Sequence, residues 1–174
     1  LLKRKNKILT QSRFVNEFEK KWSKWLGVKY SIFVNSGSSA NLLSITILKI
    51  LKGQGEVIVP SLTWSSDISS ILHNNLKPVF VDINPKNLCM SENDIISKIN
   101  KKTIAVFLSH IQGFNGLTLN LLKVLKKKKI MLLEDVCESH GATFMNKKLG
   151  TFGKISNFSF YYAHHMSTIE GGMI

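Results

Sequence analysis

The chain has 174 residues, 44% of them hydrophobic and only three of them proline, which is the makeup of one ordinary globular domain and excludes a disordered chain. Its longest apolar stretches are broken by charge or glycine within about ten residues, well short of the roughly 20 needed to cross a bilayer, so no membrane span and no membrane partner are expected. The net charge of +13 invites a nucleic acid, but the lysines are scattered or gathered in solvated runs such as Lys126 to Lys129, without aromatic interleaving or a nucleic-acid motif, so no nucleic-acid partner is expected.

In chain order, the start LLKRKNKILTQSRF has no Met and no apolar h-region after its basic residues, so it does not read as a secretory signal, and a cytoplasmic setting is expected. From Ser12 to Trp25, Phe14, Phe18, Trp22 and Trp25 recur at helical spacing on one face, and Gly27 stops the helix. Short β-rich runs follow at Tyr30 to Val34, Glu56 to Val59, Pro78 to Val81, Thr103 to Leu108 and Ile130 to Leu133. Helical segments fit between them at Ser39 to Leu51, Ser65 to His73, Glu92 to Lys98 and Leu119 to Lys127. That alternation predicts an α/β fold, with a mostly parallel mixed sheet flanked by helices. The chain's end, Glu170-Gly171-Gly172-Met173-Ile174, reads as a turn entering another strand, as if the sequence were truncated there. Cys89 and Cys137 are far apart and without a CxxC partner, so they read as buried thiols and not as a zinc site or a disulfide framework.

In such sheets the ligand sits at the carboxyl ends of the strands, and the polar clusters fall there. Asn35 to Ala40 places a glycine and three serines between a strand and a helix, which suits a phosphate but serves equally as a plain N-cap. Glu134-Asp135, after the apolar run Ile130 to Leu133, puts an acid where it is only partly solvated and needs a cationic partner, or else caps a loop. His164-His165 ends an aromatic-rich strand. No carboxylate or cysteine stands at metal-ligand spacing, so no metal is expected, and the residues alone leave proton transfer and a structural role both open.

Together, these segments resemble the DegT/DnrJ/StrS family of pyridoxal-phosphate sugar aminotransferases and dehydratases. The match runs through Trp25 to Tyr30, Ser36 to Asn41, Val59 to Trp64, Pro78 to Asp82, Glu134-Asp135 to Ala142, Gly150 to Gly153 and Ser159-Phe160 to Gly172. The resemblance implies fold type I, with residues 1–174 as the N-terminal part of the cofactor-binding large domain, a helical segment at about 11–26, and the C-terminal small domain beyond the chain. It implies pyridoxal 5'-phosphate or pyridoxamine 5'-phosphate as cofactor. Gly37, Ser38, Ser39 and Ser159 would hold its phosphate, Trp64 would stack on its ring, Asp135 would pair with the ring nitrogen, and Glu138 would lie near the ring hydroxyl.

One position departs from the aminotransferases. Their Schiff-base lysine lies five residues after the serine that matches Ser159 and six before the glutamate that matches Glu170; both counts land on His164. No lysine follows Lys154, and histidine has no primary amine to take over that bond. The same replacement marks the 3-dehydratases of the family, which remove the carbon-3 hydroxyl of a 4-keto-6-deoxy nucleotide sugar in deoxysugar and O-antigen synthesis. The resemblance therefore implies His164 as base and then acid, a GDP-sugar in preference to a CDP-sugar as substrate, L-glutamate as amino donor and a homodimer. A nucleotide-sugar 4-aminotransferase or a catalytically silent B6-binding piece are the alternatives.

Overall fold

The computed structural model describes residues 11–174; most of the basic start of the chain that bears on a secretory signal lies outside them. The order of elements is α1 (Arg13–Leu26), β1 (Phe33–Val34), α2 (Gly37–Lys52), β2 (Glu56–Pro60), α3 (Ser65–His73), β3 (Lys77–Val81), α4 (Glu92–Lys98), β4 (Thr103–Ser109), α5 (Leu119–Lys128), β5 (Met131–Asp135), β6 (Thr143–Phe144), β7 (Lys147–Lys148), β8 (Ile155–Ser159) and β9 (Gly172–Met173). Seven strands form one sheet in the order β1-β9-β8-β5-β4-β2-β3, and β6 pairs with β7 in a separate hairpin. Strands β2, β3, β4, β5 and β8 are mutually parallel, and β9 alone runs against its neighbours β1 and β8.

Alternation along the strands builds two cores. Val57, Val59, Ala105, Phe107 and Leu133 face Ile45 and Leu48 of α2 and Ile71 of α3. Ile58, Val106, Leu108 and Leu132 face the other way, toward Trp22 and Leu26 of α1, Ile95 of α4 and Leu121 and Leu125 of α5. Each fully buried Leu, Ile or Phe contributes about 1.5–3 kcal/mol, so both faces must be covered for the sheet to persist.

Most predicted elements hold to within a residue or two. In α1 the buried stripe is Phe18, Trp22 and Leu26, while Phe14 and Trp25 fall to its exposed flanks. Gly27 ends the helix in the left-handed region at φ 90°, its N–H donating to the Ser23 carbonyl. Strand β1 is shorter than expected, because Tyr30 and Ile32 are exposed. Strand β5 is longer, carrying Glu134 and Asp135 inside the sheet and not in a loop after it. By the same alternation, Asp135 continues the Leu133 side toward α2 and α3, and Glu134 points to the opposite side. The end of the chain does enter a strand, β9, which slots between β1 and β8.

Candidate active site

The carboxyl ends of β1, β2, β4, β5 and β8 converge on a cavity of about 770 Å³. One wall is the start of α2. Ser36 caps this helix, its Oγ accepting from Ser39 N–H at 3.1 Å, and its carbonyl accepts from Ala40 N–H. Gly37 and Ser38 keep N–H groups without an intrahelical acceptor, at the positive end of the helix dipole. Gly37 is required sterically, since a Cβ there would lie 2.6 Å from Ser159 Cβ and 3.0 Å from its Oγ. The result is a tight, donor-rich turn facing the Ser159 hydroxyl, which is a cradle for a phosphate.

The floor is Asp135. Its Oδ1 accepts from Cys137 N–H at 2.8 Å, and its Oδ2 lies 3.4 Å from Asn41 Nδ2. Asn41 is itself fixed, because its Oδ1 accepts from Asn157 Nδ2 at 2.9 Å and Asn157 Oδ1 accepts from Ser44 Oγ at 2.6 Å. A carboxylate held from behind and open in front is suited to receive a cation from the cavity side.

The far wall carries Tyr161, Ala163, His164, His165 and Glu170. His164 is half-buried, and burial lowers its pKa, with Glu138 and Asp135 pulling back upward and His165 pushing further down. The lowered value leaves a neutral imidazole near neutral pH, able to take a proton. A third histidine, His140, lies behind this wall: its ring is 5.8 Å from those of Trp22, Phe158, Phe160 and His165 and 6.2 Å from that of His164, it does not line the cavity, and neither ring nitrogen reaches a partner in hydrogen-bond geometry. Burial first, then His164 and His165, lower its pKa to about 4, against a smaller upward pull from Asp135.

Of the residues singled out in the sequence, Gly37, Ser38, Trp64, Asp135, Glu138, Ser159 and His164 all line the cavity. Ser39 does not; its N–H and Oγ are taken up with Ser36 in capping α2, and Ser36 lines the cavity in its place. Trp64 stands at the mouth, 69% exposed. Glu138 Oε2 accepts from Gln112 N–H at 3.2 Å, which ties it to the loop after β4. Cys137 is a wall of the cavity, in contrast to Cys89, which is buried away from it. Among the described residues no group of histidines, cysteines and acids is placed to hold a metal ion.

Two features of the site were not legible in the sequence. Asp67 reads there as an ordinary acid in the first turn of a helix, yet it is fully buried behind Asp135. His110 follows β4 with nothing to mark it. Gly116 N–H donates to its Nδ1 at 3.2 Å, so its Nε2 carries the hydrogen and donates to Glu134 Oε2 at 3.1 Å. Glu134 also accepts from the N–H groups of Gly150, Phe152 and Gly153, and so pins the loop before β8 to the cavity wall.

A parallel sheet with one antiparallel strand, a capped serine turn at its carboxyl edge and a braced aspartate beneath define the class: this is the fold of the type I pyridoxal-phosphate-dependent transferases. Residues 3–174 match the DegT/DnrJ/EryC1/StrS aminotransferase family, and the chain belongs to it. It is similar to the GDP-4-keto-6-deoxy-D-mannose 3-dehydratase of Escherichia coli O55:H7, with 37% identity covering 97% of this chain and 45% of that protein. Among solved structures it is similar to an E. coli GDP-4-keto-6-deoxy-D-mannose-3-dehydratase with bound hydrated PLP, at 36% identity and a TM-score of 0.88, covering 94% of this chain and 43% of the other. A structure of such a dehydratase with a trapped PLP-glutamate geminal diamine matches at 36% identity and a TM-score of 0.88, covering 93% and 43%. The chain thus spans under half the length of these relatives.

Proposed function

We propose that the intact protein is a vitamin-B6-dependent 3-dehydratase that removes the carbon-3 hydroxyl of a 4-keto-6-deoxy nucleotide sugar. The observation that carries this reading is the cavity itself: it is walled by a neutral His164, and no lysine lines it among the described residues. A lysine-dependent aminotransferase lacks its essential amine in such a site.

The residues present fit pyridoxal or pyridoxamine phosphate. Gly37 and Ser38 N–H groups with the Ser36 and Ser159 hydroxyls would hold the phosphate, Asp135 would hold the positive charge of the ring nitrogen, Trp64 would cover the ring, and Glu138 would lie near its hydroxyl. When bound, the cofactor supplies an electron sink that makes the bond to the leaving hydroxyl breakable. His164 acts first as a free base that takes a proton, then as an imidazolium that returns it to the departing hydroxyl. General acid-base work of this kind contributes on the order of 10²- to 10⁴-fold.

The similar dehydratases favour a GDP-sugar over a CDP-sugar and L-glutamate as the donor that restores the amine form. Residues 1–174 would be the N-terminal part of the cofactor-binding domain, with a C-terminal domain completing the substrate site in a cytoplasmic homodimer. The exposed Leu42, Leu43, Ile47, Ile50 and Leu51 of α2 support further packing against that face. No helix among the described residues is long and apolar enough to cross a membrane.

The test is His164→Asn in the intact protein, assayed for dehydration of GDP-4-keto-6-deoxymannose beside its CDP counterpart. A fall of about 10²-fold or more is expected; a rate near wild type removes His164 as the base. His164→Lys should give the visible absorbance of a covalently attached cofactor, and its absence would remove the assignment of this position.

A further inference from the structure

Behind Asp135, away from the cavity, lies a second carboxyl group that the proposed chemistry does not use. Asp67 sits in the first turn of α3 and is fully buried. Its Oδ1 is 2.6 Å from Asn41 Nδ2, and the same nitrogen is 3.4 Å from Asp135 Oδ2, so one amide group spans two carboxyl groups. That nitrogen also meets Ser66 Oγ at 3.0 Å, so its two hydrogens are shared among three acceptors and cannot neutralise either acid. The other oxygen of Asp67 accepts from the Thr63 hydroxyl and, at 2.8 Å, from the Ser109 hydroxyl. The two carboxyl groups therefore lie side by side, with one amide nitrogen within reach of an oxygen of each.

The groups facing Asp67 are Asn41 of α2, Thr63 of the loop after β2, Ser66 of its own helix, Ser109 at the end of β4 and Asp135 at the end of β5, with the buried Cys137 thiol beyond, which burial and both acids hold in its neutral form. Among them there is no cation, and the nearest acid, Asp135, is of the same sign. Burial, and then the Asp135 charge, hold the Asp67 carboxyl well above the usual carboxylate range.

We propose that Asp67 is a positioning residue for Asp135: its carboxyl keeps a proton and donates it to Asp135 Oδ2, so that the pair presents one negative charge to the cavity and not two. Asp135 is then held at both oxygens, by Cys137 N–H on one and by Asp67 on the other, and its plane is fixed. The two acids then share one proton. That fixed plane turns one edge of the Asp135 carboxylate to the cavity, where it would face a ring-nitrogen cation, a role that rests on the proposed function.

Infrared spectroscopy of the intact, cofactor-free protein near neutral pH tests the proton. The wild type should show the carbonyl stretch of a buried protonated carboxylic acid, shifted in D2O, and Asp67→Asn should lose it. No such band in the wild type, or a band unchanged in Asp67→Asn, overturns the proposal. Titration with pyridoxal phosphate tests the positioning. Asp67→Asn, whose amide still donates, should bind within about threefold of wild type, while Asp67→Ala should bind about tenfold or more weakly. Equal affinities for the Asn and Ala variants overturn it as well. Should Asp67→Ala fail to fold, the infrared comparison of wild type with Asp67→Asn decides alone. A band that behaves as expected in a protein that binds no form of the cofactor upholds the shared proton and refutes the cofactor reading, so the two fail separately.

Discussion

Replacing His140 by phenylalanine should make the protein less sensitive to acid. The ring of His140 packs among Trp22, Phe158 and Phe160, so phenylalanine preserves the aromatic contacts and removes only the titration. In the folded protein its pKa is lowered to about 4 from the ordinary 6.5, by burial first and by His164 and His165 second. The unfolded chain therefore binds a proton that the folded one refuses. The stability this neutral ring contributes is fully present above pH 6.5 and is lost as pH falls from 6.5 toward 4. Linkage gives a loss of about 2 kcal/mol at about pH 5, lowered toward about 1 because solvent reaches part of the ring. Urea unfolding of the intact protein near pH 7.5 and near pH 5 measures it. The wild type should lose about 1–2 kcal/mol more than His140→Phe between the two conditions, with unchanged slopes against urea. The same loss in both proteins would refute the reasoning.

Two further substitutions probe the walls of the site. Gly37→Ala gains about 1 kcal/mol of helix propensity but pushes a methyl to 2.6 Å from Ser159 Cβ, at a cost of about 1–3 kcal/mol, so folding changes little while the phosphate cradle opens. Affinity for pyridoxal phosphate, followed by fluorescence, should fall about tenfold or more; an unchanged affinity would show that the turn does not touch the phosphate. Glu134→Gln puts an amide NH2 in place of one carboxylate oxygen, against either the Phe152 and Gly153 N–H groups or those of Gly150 and His110, and should cost about 3 kcal/mol in urea unfolding, with faster hydrogen exchange over residues 149–153. A loss under about 0.5 kcal/mol would mean that the loop is held by something else.

The sequence announces the elements because their local rules agree with the fold: apolar runs for the parallel strands, Ser36 and Thr118 as caps, Gly27 and the lysine-rich end of α5 as stops. It announces the cavity through residues that lie next to strand ends, as Gly37, Asp135 and Ser159 do. What it hides depends on which way a side chain turns. Glu134 and Asp135 are neighbours in the chain, yet strand alternation sends one to brace a loop and the other to the cavity floor. Asp67 carries no local sign of burial, since only the approach of α2, β4 and β5 turns a first-turn acid inward. Ser39 fails in the opposite way, because a serine beside the cradle is taken up by the helix cap.

The position of β9 has a consequence for how the chain is made. Among the described residues strand β1 pairs with β9 alone, Phe33 against Met173 and Val34 against Gly172, about 140 residues later. A ribosome adding roughly 5–20 residues per second therefore leaves β1 unpaired for on the order of 10–30 s. Throughout that interval the Ser36–Gly37 turn hangs from a strand with nowhere to dock, and for roughly its last 1–3 s, between Ser159 and Gly172, the edge of β8 also offers open N–H and C=O groups. The phosphate cradle is thus among the last parts to form during synthesis, and the nascent chain is most open to strand-to-strand aggregation just before Gly172 closes the gap.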